Sequence, residues 1–231
     1  MPLHAVTEVH GEAGLRRRLT LELDHHLPGP AAAVVADAAG WAGRVHAGQW
    51  RTREPYLNHV LRVTLRMLCH YRVTDAQVLI AGLLHDSVED QSWTVASRSG
   101  GTGPPPHEDA FAVIAGRYGD RVQRLVRAVT QPDPRPGTDR VRAYLDHLRG
   151  VVAGEPWARV LKLSDFTDNG VGIIHTTGTK LDRSARKYAP AVPVLRDLLH
   201  RDDTPLPTEV KQHIDAQLDL ADHRFAAILA A

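Results

Sequence analysis

Apolar residues return at intervals of three and four along most of this chain, the period that turns one side of an α-helix toward a core. The signal is steady from Ala31 onward. Residues 31–49 place Val34, Val35, Ala38, Trp41, Ala42 and Val45 on one side, and 56–71 carry Leu57, Val60, Leu61, Thr64, Leu65 and Leu68 at helical spacing. Residues 75–89 open at a cap-like Thr74, with Gln77 three positions on, and bury Val78, Leu79, Leu83 and Leu84. Further helices are predicted over 108–118, 120–130, 138–152 and 157–169, and in patches over 179–200. A last helix over 208–229 sets Val210, Ile214, Leu218, Ala221, Phe225 and Ile228 on one face. Residues 15–23 fit a short helix or a strand, and Pro28-Gly29-Pro30 reads as a break. No run alternates with the period of a half-buried strand. The fold class is therefore all-α, a compact bundle of about eight or nine helices.

This pattern divides the chain into an N-terminal arm (1–30), expected to pack late or be mobile, a main domain (31–200), and a C-terminal amphipathic helix (201–231) packed on it. That last helix also offers a face to a second copy, so a homodimer is a candidate assembly. Two stretches interrupt the pattern, the Gly/Pro-rich 97–106 and the proline-stiffened 131–137.

The 231 residues suit one domain with one sizeable core. With 28 Lys and Arg against 27 Asp and Glu, the net charge of +1 argues against nucleic acid or an anionic membrane as partner. No apolar run approaches the roughly 20 residues that span a bilayer. Residues 1–30 carry Glu8, Glu12 and Arg16–Arg18 with no apolar stretch between, so no signal peptide is expected. A single cysteine, Cys69, cannot form an internal disulfide, which favours a reducing, cytoplasmic setting. The unusual count is 14 histidines.

The candidate chemistry lies where polar residues break into apolar helices. Leu79–Leu84 runs straight into His85-Asp86-Ser87-Val88-Glu89-Asp90. At about 100° per residue, His85, Asp86, Glu89 and Asp90 fall within an arc of about 140° on one side of a helix. Three carboxylates and an imidazole at the end of a core helix are costly to bury without partners. Either this helix end is solvated or a cation holds the charges together. A second interruption puts Asp165 and Asn169 one turn apart, and His59 opens an otherwise apolar helix. His59, His85, Asp86 and Asp165 would supply mixed imidazole and carboxylate ligation, which suits Mn, Fe or Zn better than Ca. His85 and Asp86, though adjacent, can straddle an ion from a helix end. His46 and Lys162 are candidate substrate contacts; the plainer readings are a satisfied helix histidine and a solvated flank lysine. Trp50 is read as a core or rim residue, Asp168 as a neighbour of the ligands or a solvated acid, and His107 and His147 as surface.

The motifs His46-Ala-Gly-Gln49-Trp-Arg51, Glu54-Pro-Tyr-Leu-Asn-His59, Leu83-Leu-His85-Asp86-Ser-Val-Glu89-Asp90, Tyr118-Gly-Asp-Arg-Val-Gln-Arg-Leu-Val126 and Leu161-Lys-Leu-Ser-Asp165 occur in that order. In them the chain resembles the HD-domain metal phosphohydrolases, and within these the hydrolase domain of RelA/SpoT homologues and the small alarmone hydrolases. The resemblance covers about residues 31–170. It implies that His59, His85, Asp86 and Asp165 hold a divalent metal, usually Mn²⁺ with other divalent transition metals as alternatives. It implies that Glu89 and Asp90 handle the attacking water, that Arg51 contacts the purine base and that Asn169 contacts the sugar. The substrate would be a small nucleotide, and the reaction removal of the 3′-pyrophosphate of (p)ppGpp to give GDP or GTP and pyrophosphate. A bound divalent cation lowers the pKa of a water toward ~7 and polarises a phosphoryl oxygen, which is the chemistry such hydrolysis needs.

The chain departs from the family pattern at three places. Thr52 stands where a lysine commonly follows the motif arginine, and the loop before Glu54 is one residue short. Val60 replaces the proline after the first ligand histidine. Gly172 replaces the threonine that helps seat the base. These leave the hydrolytic core intact and alter the guanine-recognition edge, while the 97–107 insert lies just beyond the catalytic pair. An alternative reading is therefore an HD phosphohydrolase for another nucleotide or phosphorylated metabolite. A third is a nucleotide-binding regulatory module without turnover.

Overall fold

The structure, a computed structural model, describes residues 2–51, 53–98, 103–133 and 137–230. It is all-α apart from one pair of two-residue strands. The chain divides into two compact units, residues 1–130 and 131–231, where the hydrophobic pattern suggested boundaries at 30 and 200.

The first unit is built around α3 (Leu57–Cys69), every residue of which up to Leu68 is buried. Against it lies α1 (Leu3–His26), bent at Gly11, where φ is 60° and only glycine is at ease. The segment read as an ambiguous arm is thus a docked helix: Leu15, Leu19 and Leu23 recur at i, i+4 and i+8 and give it an apolar seam. Next come α2 (Gly29–Val45), a hairpin of β1 (Trp50–Arg51) and β2 (Glu54–Pro55), α4 (Ala76–Leu84), α5 (Ser87–Val95), α6 (His107–Tyr118) and α7 (Asp120–Val129). α4 is apolar and buried from Val78 to Leu84 and packs on α2, α3 and α7. Its cap is Asp75, not Thr74: the Asp75 carboxylate accepts from the N–H groups of Gln77 at 3.0 Å and Val78 at 3.3 Å. Gly82 allows the close approach of α3 and α4, since a Cβ there would run into Met67. That approach sets the end of α4 beside the start of α3.

The hairpin is tied to α3 by an ion pair between the buried Arg62 and the part-exposed Glu54. Arg62 donates to both oxygens of Glu54, at 2.8 and 2.7 Å, and to the Thr7 hydroxyl at 3.2 Å. A buried guanidinium is tolerable only when its donors are met in this way.

The second unit comprises α8 (Arg140–His147), which runs on into a π-helical turn (Leu148–Val152), α9 (Pro156–Gly170), a 3₁₀ turn (Val171–His175), α10 (Thr179–Tyr188), α11 (Val192–Leu199) and α12 (Thr208–Ala230). α12 packs on α9, α10 and α11 through Val210, Ile214, Leu218, Ala221 and Phe225. Phe166 meets Phe225 and Tyr188 edge-on, at centroid separations of 6.3 and 5.9 Å. Among the described residues there are more helical segments than the eight or nine predicted, because α1 is complete and breaks at His85–Asp86 and at 189–191 divide what periodicity alone joins. No helix of the described residues is long and apolar enough to cross a membrane.

Candidate metal and active site

The helix predicted over 75–89 stops at Leu84. His85 keeps helical angles, but Asp86 has ψ near −2°, and α5 starts afresh at Ser87. The four polar residues therefore do not line one helical stripe. The His-Asp pair occupies the break, and Glu89 and Asp90 lie in the exposed first turn of α5. The break lets adjacent residues point at one locus, which a continuous helix with 100° between neighbours would not.

At that locus His59, in the first turn of α3, joins them. The ligand atoms of His59, His85 and Asp86 lie within 4.8 Å of one another. Asp86 Oδ2 is 3.0 Å from His85 Nε2 and 3.5 Å from His59 Nε2, and both imidazoles are buried at 1% exposure. The tautomer of His85 follows from its other nitrogen: Nδ1 lies 2.8 Å from the carbonyl oxygen of Gly82, which can only accept, so Nδ1 carries the hydrogen. Nε2 of the neutral ring then turns a lone pair toward a carboxylate oxygen. Two acceptors face each other, and only a proton or a cation between them makes the arrangement favourable. Burial pushes the Asp86 carboxyl up, but a proton carried by His85 or His59, whose charge and hydrogen bonds favour the carboxylate, outweighs it and holds the group well below the usual carboxylate range. Two imidazoles and an ionised carboxylate, with one imidazole oriented by a backbone carbonyl, fit a borderline divalent transition metal.

A second layer holds these groups. Tyr56, at the entry of α3, donates its hydroxyl hydrogen to Asp86 Oδ2 at 2.6 Å. Burial and the charges of Asp86 and Asp90 push the phenol well above its ordinary range, so it remains a donor. The His46 ring stacks on Tyr56 with centroids 5.0 Å apart, and burial lowers the His46 pKa, keeping it neutral. Its Nδ1 lies 2.7 Å from Gln49 Oε1, and Gln49 Nε2 donates to Asp90 Oδ2 at 2.8 Å. Arg51 is half-buried on β1, and its charge acts on Tyr56. Tyr56 and Gln49 were missed as functional side chains by sequence reasoning. Their signal was polar residues spaced at −3 and −10 from His59, visible only once the hairpin folds them back.

In the second unit, α9 gathers Lys162, Asp165 and Asn169. Asp165 is buried; its Oδ2 lies 2.9 Å from Lys162 Nζ, and its Oδ1 accepts from Asn169 Nδ2 at 2.6 Å. Lys162 is thus a buried, paired ammonium rather than a solvated flank lysine. Asp168 is buried on the same helix. The first unit thus carries His46, Arg51, His59, His85, Asp86, Glu89 and Asp90, of which His59, His85 and Asp86 meet directly and His46 and Asp90 join through Tyr56 and Gln49, while the second carries Lys162, Asp165 and Asn169. Trp50 is 67% exposed, and His147 is buried rather than at the surface, because α8 turns it inward. Gly172 sits half-buried in the 3₁₀ turn. Thr52 and residues 99–102 of the insert lie outside the described residues, as do 134–136 of the proline-rich connector.

No protein-family model matches the chain. It is 34% identical over 138 residues to guanosine-3′,5′-bis(diphosphate) 3′-pyrophosphohydrolase MESH1 of Xenopus tropicalis, a match covering 58% of this chain and 66% of that protein. To the Homo sapiens protein of the same name it is 33% identical over 141 residues, covering 59% of this chain and 68% of the relative. A guanosine-3′,5′-bis(diphosphate) 3′-pyrophosphohydrolase of Aquifex aeolicus is 31% identical over 160 residues, 69% of this chain but 20% of that much longer protein. The chain thus spans about two thirds of the length of the animal relatives it matches. Among solved structures, a metazoan ortholog of SpoT that hydrolyses ppGpp shares the fold, with a TM-score of 0.59 over 81% of this chain and 94% of that one, at 23% identity.

Proposed function

The chain belongs to the guanosine-3′,5′-bis(diphosphate) 3′-pyrophosphohydrolase family, and from that premise we propose that it is a Mn²⁺-dependent hydrolase that removes the 3′-pyrophosphate of (p)ppGpp. The products are GDP or GTP and pyrophosphate. The observation that carries this reading is the confrontation of His85 Nε2 and Asp86 Oδ2 at 3.0 Å with His59 beside them, a place made for a cation.

His59, His85 and Asp86 would hold the ion, with Asp165 as the fourth ligand expected from the Lys-Leu-Ser-Asp motif. When bound, the ion polarises a phosphoryl oxygen and brings water to hydroxide-like reactivity near neutral pH. The chain's own groups do the rest. Tyr56 fixes one oxygen of Asp86, so the carboxylate presents a constant face. Glu89 and Asp90, exposed at the start of α5, orient the attacking water and accept its proton. Water adds to the phosphorus next to the ribose 3′-oxygen, that phosphorus–oxygen bond breaks, and the 3′-oxygen takes up a proton. Arg51 and Asn169 are read as contacts to base and sugar, and His46 and Lys162 as further substrate contacts. His46 is buried and held neutral by that burial, which supports a role in shaping the pocket wall rather than in carrying charge. A reducing, cytoplasmic setting fits the single free thiol, Cys69.

Incubating Mn²⁺-loaded protein with ppGpp and separating the nucleotides tests the proposal. GDP with pyrophosphate is the expected result. Intact ppGpp with Mn²⁺ demonstrably bound overturns it. The weight would then pass to another phosphorylated substrate, which Gly172 in the base-seating position favours.

A further inference from the structure

Gln49 makes a three-way junction beside the site. Its Oε1 takes His46 Nδ1 at 2.7 Å and the Gln91 amide N–H at 2.8 Å, while its own Nε2 donates to Asp90 Oδ2 at 2.8 Å. The direction of the amide is not free. A carboxylate only accepts, so the NH₂ end must face Asp90 and the oxygen must face the two donors. The backbone of Gln49 is pinned as well: its N–H donates to His46 O at 3.0 Å, and its C=O accepts from the Tyr56 N–H at 2.9 Å. Gln91 reaches back because its φ and ψ of −134° and 29° depart from helical values inside α5. Asp90 is exposed, and among the described residues Gln49 is the side chain that donates to its carboxylate. An exposed aspartate otherwise samples several rotamers. The same hairpin segment stacks His46 on Tyr56, whose hydroxyl holds Asp86. One run of contacts thus links Asp90 to a metal-ligand candidate through Gln49, His46 and Tyr56.

We infer that Gln49 is a positioning residue, an amide clamp that fixes the Asp90 carboxylate in register with Asp86. The task assigned to Asp90 rests on the proposed function; the clamp itself rests on the hydrogen bonds. Gln49→Glu is the discriminating variant. It keeps the side-chain length and the oxygen that serves His46 and Gln91, and replaces the donor to Asp90 with a repelling oxygen. The expected result is a fall in kcat for ppGpp of about 10- to 100-fold, with KM and Mn²⁺ affinity close to those of the parent. Gln49→Ala, which removes the clamp without adding charge, should show the same split and carries the test if the glutamate variant does not fold. Parent-like kcat in the folded variants overturns the inference, and so does a loss of Mn²⁺ affinity that matches the loss of kcat. If the parent itself leaves ppGpp intact, the proposed function fails, and the clamp is decided by a crystal structure of Gln49→Glu. Displacement of the Asp90 carboxylate by about 1 Å or more is then expected, a misplacement large enough to matter for catalysis; an unmoved Asp90 overturns the clamp.

Discussion

Two carboxylates, the part-buried Asp86 and the buried Asp165, solve the same problem in opposite ways. Asp165 sits inside a continuous helix and is met by that helix: Lys162 three residues before it and Asn169 four after it engage its two oxygens. These are the spacings at which helical side chains meet. Asp86 sits where a helix has stopped, and its partners come from the entry of α3 (Tyr56), the first turn of α3 (His59) and the residue before it (His85). The first arrangement brings its own countercharge. The second sets two imidazoles against one oxygen that already accepts from Tyr56, and leaves the countercharge to a proton or a cation between them. A carboxylate satisfied by its own helix is a structural solution that a ligand must compete with. One crowded by neutral imidazoles across a helix break is an ion site in waiting.

The contrast can be broken most directly at Asp86. Asp86→Ala should abolish ppGpp hydrolysis and weaken Mn²⁺ binding by more than the roughly 10- to 100-fold typical of merely supporting groups, read by titration calorimetry and nucleotide separation. Retained Mn²⁺ affinity would place the ion elsewhere. Glu89→Gln should spare Mn²⁺ binding and lower turnover by about 10²- to 10⁴-fold, the range for loss of a general acid–base group; a matching loss of metal would make Glu89 a ligand. Asp165→Ala should cost about 3 kcal/mol in denaturant unfolding, because it takes the carboxylate away from a buried ammonium, and should also weaken Mn²⁺ binding. Lost stability with unchanged Mn²⁺ affinity would confine Asp165 to the structural role the comparison brings out.

The smallest effect concerns Asp75, the cap of the helix that delivers His85. Burial pushes its carboxyl up, but Arg121 and the N–H groups of Val78 and Gln77 outweigh that and hold it below its ordinary value. A group depressed in the folded state adds stability that is present above its unfolded value, near 3.9 or so, and is lost as the pH falls through the folded value. Asp75→Ala should therefore cost about 1 kcal/mol at neutral pH and flatten the acid limb of a stability–pH curve below roughly pH 4. An unchanged acid limb would mean the cap acts through its hydrogen bonds alone.

The helices were largely legible because each buries one face, and burial writes a period into the sequence. α7 and α12 lie within one residue of where their apolar stripes placed them. The misreadings have local causes. Thr74 looked like a cap because its side chain can accept, but Asp75 has the extended backbone that aims a carboxylate at the first turn. Residues 75–89 read as one helix because nothing in their periodicity marks the near-zero ψ of Asp86. Lys162 read as solvated because lysines usually are, and its pairing with Asp165 depends on how deeply α9 is buried. Tyr56 and Gln49 escaped notice because their work is done across gaps of 30 and 41 residues.

By itself the sequence determined the all-α class, the apolar seams and the residue types that chemistry requires, because propensity, period and side-chain functional groups are local properties. Only the tertiary structure decided that His85 turns its Nε2 lone pair toward Asp86, that Tyr56 locks that carboxylate, and that a glutamine amide reaches Asp90. Those outcomes depend on a helix break, a glycine-permitted approach of two helices and a hairpin pinned by an ion pair. The break leaves no mark in the apolar period, and the other two join residues 8 and more positions apart, a distance that no local pattern carries.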